Sequence, residues 1–327
     1  MTAVPDPKRI ARVFLPYFSE QSDYLKEHGI QLAYYTSCET ADKIIRNREF
    51  WLRDCRLMND STEVTHGISI IDAYFSGEHG KAFFAALDEI RSGVARRAFE
   101  LFHEWKTARD AQAFVMSFSR HAQPKSPLAE NEKAHGRLSM WRGYGGPDNV
   151  AMIFKVPFGQ DSDGSLMLFL SPVGYFESVD AQIAQVIANA RAEKELLRDA
   201  PEDMVTMAMF VMFVMAATSL KHPGFMEEDE WRLIYLPSTW RSKLVREVSV
   251  EIRPGHPEIV CQVPLSAFSK AGISGIDLKT ALDRVIVGPS EFRDEIGRYI
   301  ADALRAVGIE DADARVKQSE IPFRRLL

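Results

Sequence analysis

The sequence predicts an α+β fold in a single domain, and three observations carry that reading. Segments of strand type alternate with helical segments of irregular length and no βα repeat persists, which argues against a doubly wound sheet. Hydrophobic residues make up 46% and charged residues 26% of the 327 residues, enough apolar material for a real core. No stretch is rich enough in Pro, Gly or Ser to cut the chain in two, and no internal repeat or low-complexity tract is present. The expected organisation is a helical lead-in over 1–30 and a core over 31–265, with helical insertions at 68–110 and 179–220. A helical and strand extension follows over 266–327.

Taken in order, Lys8 to Gly29 reads as helix, with Gly29 as a C-terminal cap. IQLAYYTS is an apolar, aromatic run of strand type. The next helix opens at Ser37 or Thr40 and turns Ile44 and Ile45 inward. In LMNDSTEV, Asn59 or Asp60 suits an N-cap, with Glu63 available to close it. Apolar residues at helical spacing from Ile68 to Arg109 suggest two helices, broken at Gly77 and Gly80. AFVMSFSR is a strand, followed by a polar loop to Arg137, the segment LSMWRGYGG and the strand NVAMIFKV. After a turn at GQDSDGS come one or two strands in LMLFLSPVGYF, a charged helix over 179–199 and an apolar helix. EWRLIYLP is a strand, as are the segments around Val248–Ile252, Ile259–Val263 and RVIVGP, and a last helix runs through SEFRDEIGRYIADALRAVG.

The net charge of −6 gives no whole-surface attraction to nucleic acid, although a local basic groove is compatible with it. Three scattered cysteines, Cys38, Cys55 and Cys261, form neither a disulfide framework nor a metal-ligand pattern. The N-terminal residues lack a signal-peptide apolar core, and the expected compartment is the cytoplasm. The uncharged run from Met204 to Leu220 sits at the lower limit of the ~20 residues a membrane span needs. Its methionines and hydroxyls favour a helix buried among others, with no membrane contact.

Candidate chemistry gathers in four places. In FMEEDEWRLIY four carboxylates, Glu227 to Glu230, run into a strand. If the strand includes them, Glu228 and Glu230 lie side by side, with Arg232 and Ile234 across from the face of Trp231, Leu233 and Tyr235. The stretch is either an acidic turn or the mouth of a site-forming strand, and no Cys or His set nominates it for a metal. In FVMSFSRH, Ser117 and Ser119 share one face with Val115 and His121. They either orient a carboxylate or ribose, or simply run out to solvent. In LAYYTS, Tyr34 and Thr36 share one face, and Tyr35 the other, just before a helix start that suits a phosphate. They can equally be half-buried core residues. Trp141 and Tyr144 flank Arg142 and Gly143 and offer a wall for a planar ring. Arg120, His121, Lys125, Lys133 and Arg137 make the loop after the Ser-x-Ser strand basic, either as solvated charge or as a reach toward nucleic acid.

The order of these pieces resembles the ADP-ribosyltransferase fold, a split β-sheet core, here with helical insertions. In that family a basic residue on the first strand holds the adenosine side of NAD, a Ser-Thr-Ser strand supports the site, and the second Glu of Glu-x-Glu opens a later strand. SFS at 117–119 and EDEWRLIY at 228–235 match the second and third features, while Tyr34 or Tyr35 stands at the basic position. Over nearly its full length the chain also looks like a bacterial family catalogued as domain of unknown function 2971, through YYTS, LMNDSTE, SFS, MWRGY, EDEWR, VIVGP and SEIPFR. The transferase resemblance implies NAD as substrate and Glu230, Glu228 and Ser117 as catalytic residues. Tyr34, Tyr35, Thr36, Ser119, Trp141 and Tyr144 would be its contacts. It further implies a protein or nucleic-acid acceptor, a toxin or phage-defence role, and an antitoxin or sensor partner. Two other readings stand beside it. One is a nucleotide-binding module of the same fold without turnover. The other is a metal-dependent hydrolase or nuclease using Asp60, Glu63 and the acids at 227–230.

Overall fold

The computed structural model describes residues 6–57, 61–108, 112–144, 146–156, 166–253, 255–266 and 277–322. Asn59, Asp60 and the turn at GQDSDGS lie outside the described residues, as does the side chain of Glu63. The chain forms two compact units. One combines Tyr24–Asp54, Phe114–Leu170 and Glu227–Leu327, and the other Met1–Asp23, Cys55–Ala113 and Ser171–Met226. The lead-in and both helical insertions contribute to the second unit.

Among the described residues the chain has ten strands, β1 (Gln31–Ser37), β2 (Glu49–Asp54), β3 (Phe114–His121), β4 (Asn149–Phe154), β5 (Leu168–Pro172), β6 (Glu230–Tyr235), β7 (Arg246–Arg253), β8 (His256–Pro264), β9 (Leu282–Val287) and β10 (Val316–Gln318). Their order is β10-β9-β4-β1-β3-β2-β8-β7, with β6 on β3 and β5 on β6. β10 runs parallel to β9, while β3 is antiparallel to β1, β2 and β6. The result is a large, open, mostly antiparallel α+β sheet.

The register at β3 forks the sheet. β6 pairs along Phe114 to Ser119, β1 only at Ser119 to His121, and β2 only at Phe114 and Val115. A strand has two hydrogen-bonding edges, so β1 and β2 occupy opposite ends of the edge that β6 leaves free. Tyr34 and Phe50 both reach the Phe118 ring, each with centroids 5.8 Å apart, and Phe50 stands edge-on to Phe154 at 5.1 Å. Aromatic side chains thus fill the core side of the fork.

Period-two alternation then sorts the faces. Phe114, Met116 and Phe118 of β3 join Trp231, Leu233 and Tyr235 of β6 in the main core. The helix Cys38–Asn47 covers that core with Ala41, Ile44 and Ile45. It opens as expected, with Ser37 accepting the Thr40 amide at 3.1 Å as its N-cap. On the opposite face Ala33, Tyr35, Ala151, Ile153 and Ile286 pack with Met140 and Trp141 in a second, smaller core.

The second unit is helical. The region from Ile68 to Arg109 holds three helices, Ser61–Ser76, Glu78–Asp88 and Val94–Thr107. The expected two are corrected because Gly80 lies inside a helix, whereas Gly93, at φ 79°, breaks the chain a second time. The lead-in and the 179–199 segment likewise split in two, into Pro7–Phe14 with Pro16–Glu27 and Asp180–Ala192 with Lys194–Asp199. Glu202–Ser219 is apolar all round and 67% buried across its length, the pattern of a central core helix. Phe213 at its middle meets Phe75 and Phe99 at 4.9 and 5.2 Å. Gly67 lets it come close, since a Cβ there would stand 2.2 Å from the Ala217 carbonyl oxygen.

Candidate functional site

The acidic run divides at Asp229. Residues up to Glu228 form a 3-10 turn, and Asp229 takes a left-handed φ of 46° before β6 begins at Glu230. Aspartate tolerates this conformation better than most side chains. Its consequence is that Glu228 does not belong to the strand. The expected side-by-side placement of Glu228 and Glu230 is therefore corrected: i, i+2 alternation fails where the backbone leaves the extended region. Instead the Glu228 carbonyl accepts the Ser119 hydroxyl. The Asp229 carbonyl accepts the Arg120 amide at 2.8 Å, and its carboxylate receives the Arg120 guanidinium at 2.8 and 2.9 Å.

Glu230 lies directly across from Ser119, and Arg232 across from Ser117. All four share the face turned away from the main core. Glu230 and Arg232, with side chains 6% and 5% exposed, form a two-point ion pair with contacts of 2.7 and 3.1 Å. Sequence alternation already put Arg232 on the Glu230 face. The pairing went unread because a short-range i, i+2 contact needs both side chains buried together.

Beside this pair lies a larger ionic hub. The Arg137 guanidinium donates to Glu132 Oε1 at 2.8 Å, to the Arg120 carbonyl at 2.9 Å and to the Glu227 carbonyl at 2.6 Å. Its backbone amide donates to the Tyr35 hydroxyl at 2.8 Å. Arg120, His121 and Arg137 are therefore turned into the protein. Only Lys125 and Lys133 of the expected basic loop keep the solvated reading open, and part of that loop is the helix Ala129–His135. Nothing in the sequence spacing signalled the Arg137–Glu132 pair, because the two residues meet across a helix end.

The aromatic candidates are largely structural. Tyr35 is buried, which pushes its phenol up to about 12, and its ring stands edge-on to Trp141 at 4.7 Å. Trp141 lies in the helix Leu138–Tyr144, is buried, and donates Nε1–H to the His135 carbonyl at 2.9 Å. The loop wall expected at LSMWRGYGG is thus a helix whose Trp packs inward. Gly136, at φ 73°, gives that ring its room, since a Cβ there would lie 2.6 Å from it. Tyr34 is half-buried against the main core, where burial raises its phenol against the opposing pull of Thr36 and Arg53. Thr36 is buried, and Tyr144 is 49% exposed. Ser117 is half-buried, while both Glu230 carboxylate oxygens are taken by Arg232. Tyr35, Thr36, Ser119 and Trp141 are engaged within the protein and, as they stand, do not fit the grip expected for the rest of NAD. Among the described residues no group of three His, Cys, Asp or Glu side chains could hold a metal ion.

His121 closes the Ser119 face. Its Nε2 accepts from Arg284 at 2.9 Å, and burial together with the positive charges of Arg284 and Arg137, opposed by Asp283, lowers its pKa from about 6.5 to about 3. A folded-state value below the unfolded one means that His121 contributes stability above about pH 6.5 and loses it as pH falls toward 3. Wild-type unfolding free energy is expected to fall by up to ~1.4 kcal/mol per pH unit in that window from this group alone. Replacing His121 by Gln should flatten that slope in urea titrations at pH 7, 6, 5 and 4. An unchanged slope would mean that other groups set it.

The fold and site thus define an α+β protein whose forked sheet carries a buried carboxylate–guanidinium pair at the start of one strand. Residues 140–233, from the helix holding Trp141 to the middle of β6, match the model of the family described as Protein of unknown function (DUF2971). That stretch is what the family model resembles, and it covers less than half of the chain. No curated protein and no solved structure matches the chain significantly.

Proposed function

We propose that the chain is an NAD-dependent ADP-ribosyltransferase acting on a protein or nucleic-acid acceptor, with Glu230 as the carboxylate beside the reacting sugar. The observation that supports this reading is the register of β3 with β6. It sets Glu230 opposite Ser119 and Arg232 opposite Ser117, on one face at the start of a strand. Breaking the nicotinamide–ribose bond builds positive charge on the sugar, and a preorganised, desolvated carboxylate favours that charge. Ser117 positions Glu230 or the ribose, and Glu228, half-buried just before β6, serves the acceptor. The Arg232 guanidinium cancels the charge that Glu230 would lend, so activity requires that pair to loosen.

The same pair favours a second reading. A carboxylate held at two points by Arg232, together with tyrosine at the position where the resembled family has a basic residue, suits a nucleotide-binding module without turnover. The two readings separate in one experiment. The full chain is incubated with adenylate-labelled NAD and a cell lysate, as wild type, Glu230→Gln and Glu230→Gln/Arg232→Gln. Folding of each variant is checked by circular dichroism. Label transferred by the wild type alone supports the transferase, and the labelled species identifies the acceptor. Transfer by a folded Glu230→Gln variant removes Glu230 from the chemistry. Intact NAD with saturable nucleotide binding favours the module.

A further inference from the structure

The last residues of a chain are poorly ordered unless something ties them down, and here the tie leads to the candidate site. Ser319 follows β10 directly and is 1% exposed. Its amide donates to the Val287 carbonyl at 2.8 Å, and its hydroxyl to the His135 carbonyl at 2.8 Å. The Glu320 amide donates to His135 Nδ1 at 3.3 Å. Ile321 then packs against the second core, the cluster that holds Tyr35 and Trp141. Glu320 and Pro322 are exposed and Ile321 is half-buried, so the segment can lift without opening the main core.

His135 is where this segment meets the ionic hub. Its carbonyl also accepts Trp141 Nε1–H at 2.9 Å, and two residues on, the Arg137 amide donates to the Tyr35 hydroxyl. The Arg137 guanidinium reaches the Arg120 and Glu227 carbonyls, and Arg120 holds Asp229 through its amide and its guanidinium. A contiguous set of contacts therefore runs from Ile321 to the turn before Glu230. Two residues along it sit in the left-handed region without being glycine, Ala122 at φ 53° and Asp229 at φ 46°. The Ala122 amide is held there by Glu132 at 3.2 Å. Such conformations persist only where the surroundings enforce them, so the turn has a relaxed alternative once the hub lets go.

We propose that Ser319–Pro322 is a strap that clamps the Glu227–Asp229 turn through His135 and Arg137. Seated, it keeps Asp229 left-handed and the start of β6 closed. Lifted, it frees that turn while the sheet stays folded. The Glu230–Arg232 pair follows the turn directly, so the strap sets how readily that pair loosens. The strap is a property of the fold and stands independently of the transferase reading.

Hydrogen exchange of the full chain, read at single amides by NMR, tests the strap, because it reports local opening apart from global unfolding. The reporters are the Arg120 and Arg137 amides, and the references are the amides of the β2–β8 ladder. Ile321→Ser removes the apolar anchor and is expected to speed exchange at both reporters by about tenfold, with the references unchanged. Ile321→Val keeps most of the contact and is expected to stay close to wild type. Ser319→Ala is expected to act in the same direction as Ile321→Ser, through His135, and it decides alone should Ile321→Ser fail to fold. Wild-type rates at the reporters in the deciding variant overturn the strap. An equal acceleration at reporters and references overturns it too, because the segment then contributes to global stability alone.

Discussion

Glu230→Gln is expected to lower the unfolding free energy by up to about 3–5 kcal/mol, because it removes the carboxylate that meets the buried Arg232 guanidinium at two points. Both side chains are almost fully enclosed, with contacts of 2.7 and 3.1 Å, so water cannot take over the lost partner. Glu230→Gln/Arg232→Gln replaces the ion pair with two neutral amides and is expected to come within about 2 kcal/mol of wild type, since a buried pair contributes little beyond its own desolvation. Urea unfolding of the wild type and both variants measures this directly, with equal slopes required for the comparison. A single variant as stable as wild type would mean that Arg232 finds another anion. The double variant is therefore the second control for activity, because it removes both members of the buried pair together.

The second large effect is expected at Arg137. Arg137→Ala removes the guanidinium that joins Glu132, the Arg120 carbonyl and the Glu227 carbonyl. Glu132, itself 8% exposed, then holds a carboxylate without that cation, and two carbonyls lose a donor. A loss of about 3–5 kcal/mol follows from the buried charge. Arg137→Lys is expected to recover only part of it, because an ammonium cannot reproduce the planar fork. Arg298, whose side chain is 75% exposed in its contact with Glu295, provides the comparison, with Arg298→Ala expected within about 0.5 kcal/mol of wild type. Equal effects at the two arginines in thermal or urea unfolding would show that the hub contributes no more than a surface pair. Because Arg137 reaches Arg120 and Glu227, which flank Ser119 and Glu230, its loss should also loosen the candidate site.

Which parts of this were legible beforehand follows from the range of the interactions involved. The Ser37 cap was legible because the hydroxyl bonds an amide only three residues away. The shared face of Ser117 and Ser119 was legible because strand alternation is local. The start of β6 at Glu230 was legible from the switch of acids to aromatics. Glu228 was misread because a single left-handed residue, Asp229, resets the alternation, and nothing in an acidic tetrad says which member will turn. Trp141 was read as a ligand wall because glycines and aromatics in one stretch carry no record of the direction in which a short helix will face.

By itself the sequence determined the α+β class, most of the strands, and the burial of the long apolar helix. Each of these follows from hydrophobic periodicity and from capping within a few residues. Only the tertiary structure decided that β1 and β2 share one edge of β3, that Glu230 closes onto Arg232, and that Arg120, His121 and Arg137 turn inward. The physical reason is one of reach: local patterns fix which face a residue occupies, while what covers that face and drives its charges to pair comes from segments far along the chain. Ser119 and the Glu228 carbonyl, 109 positions apart, meet only once the sheet has formed.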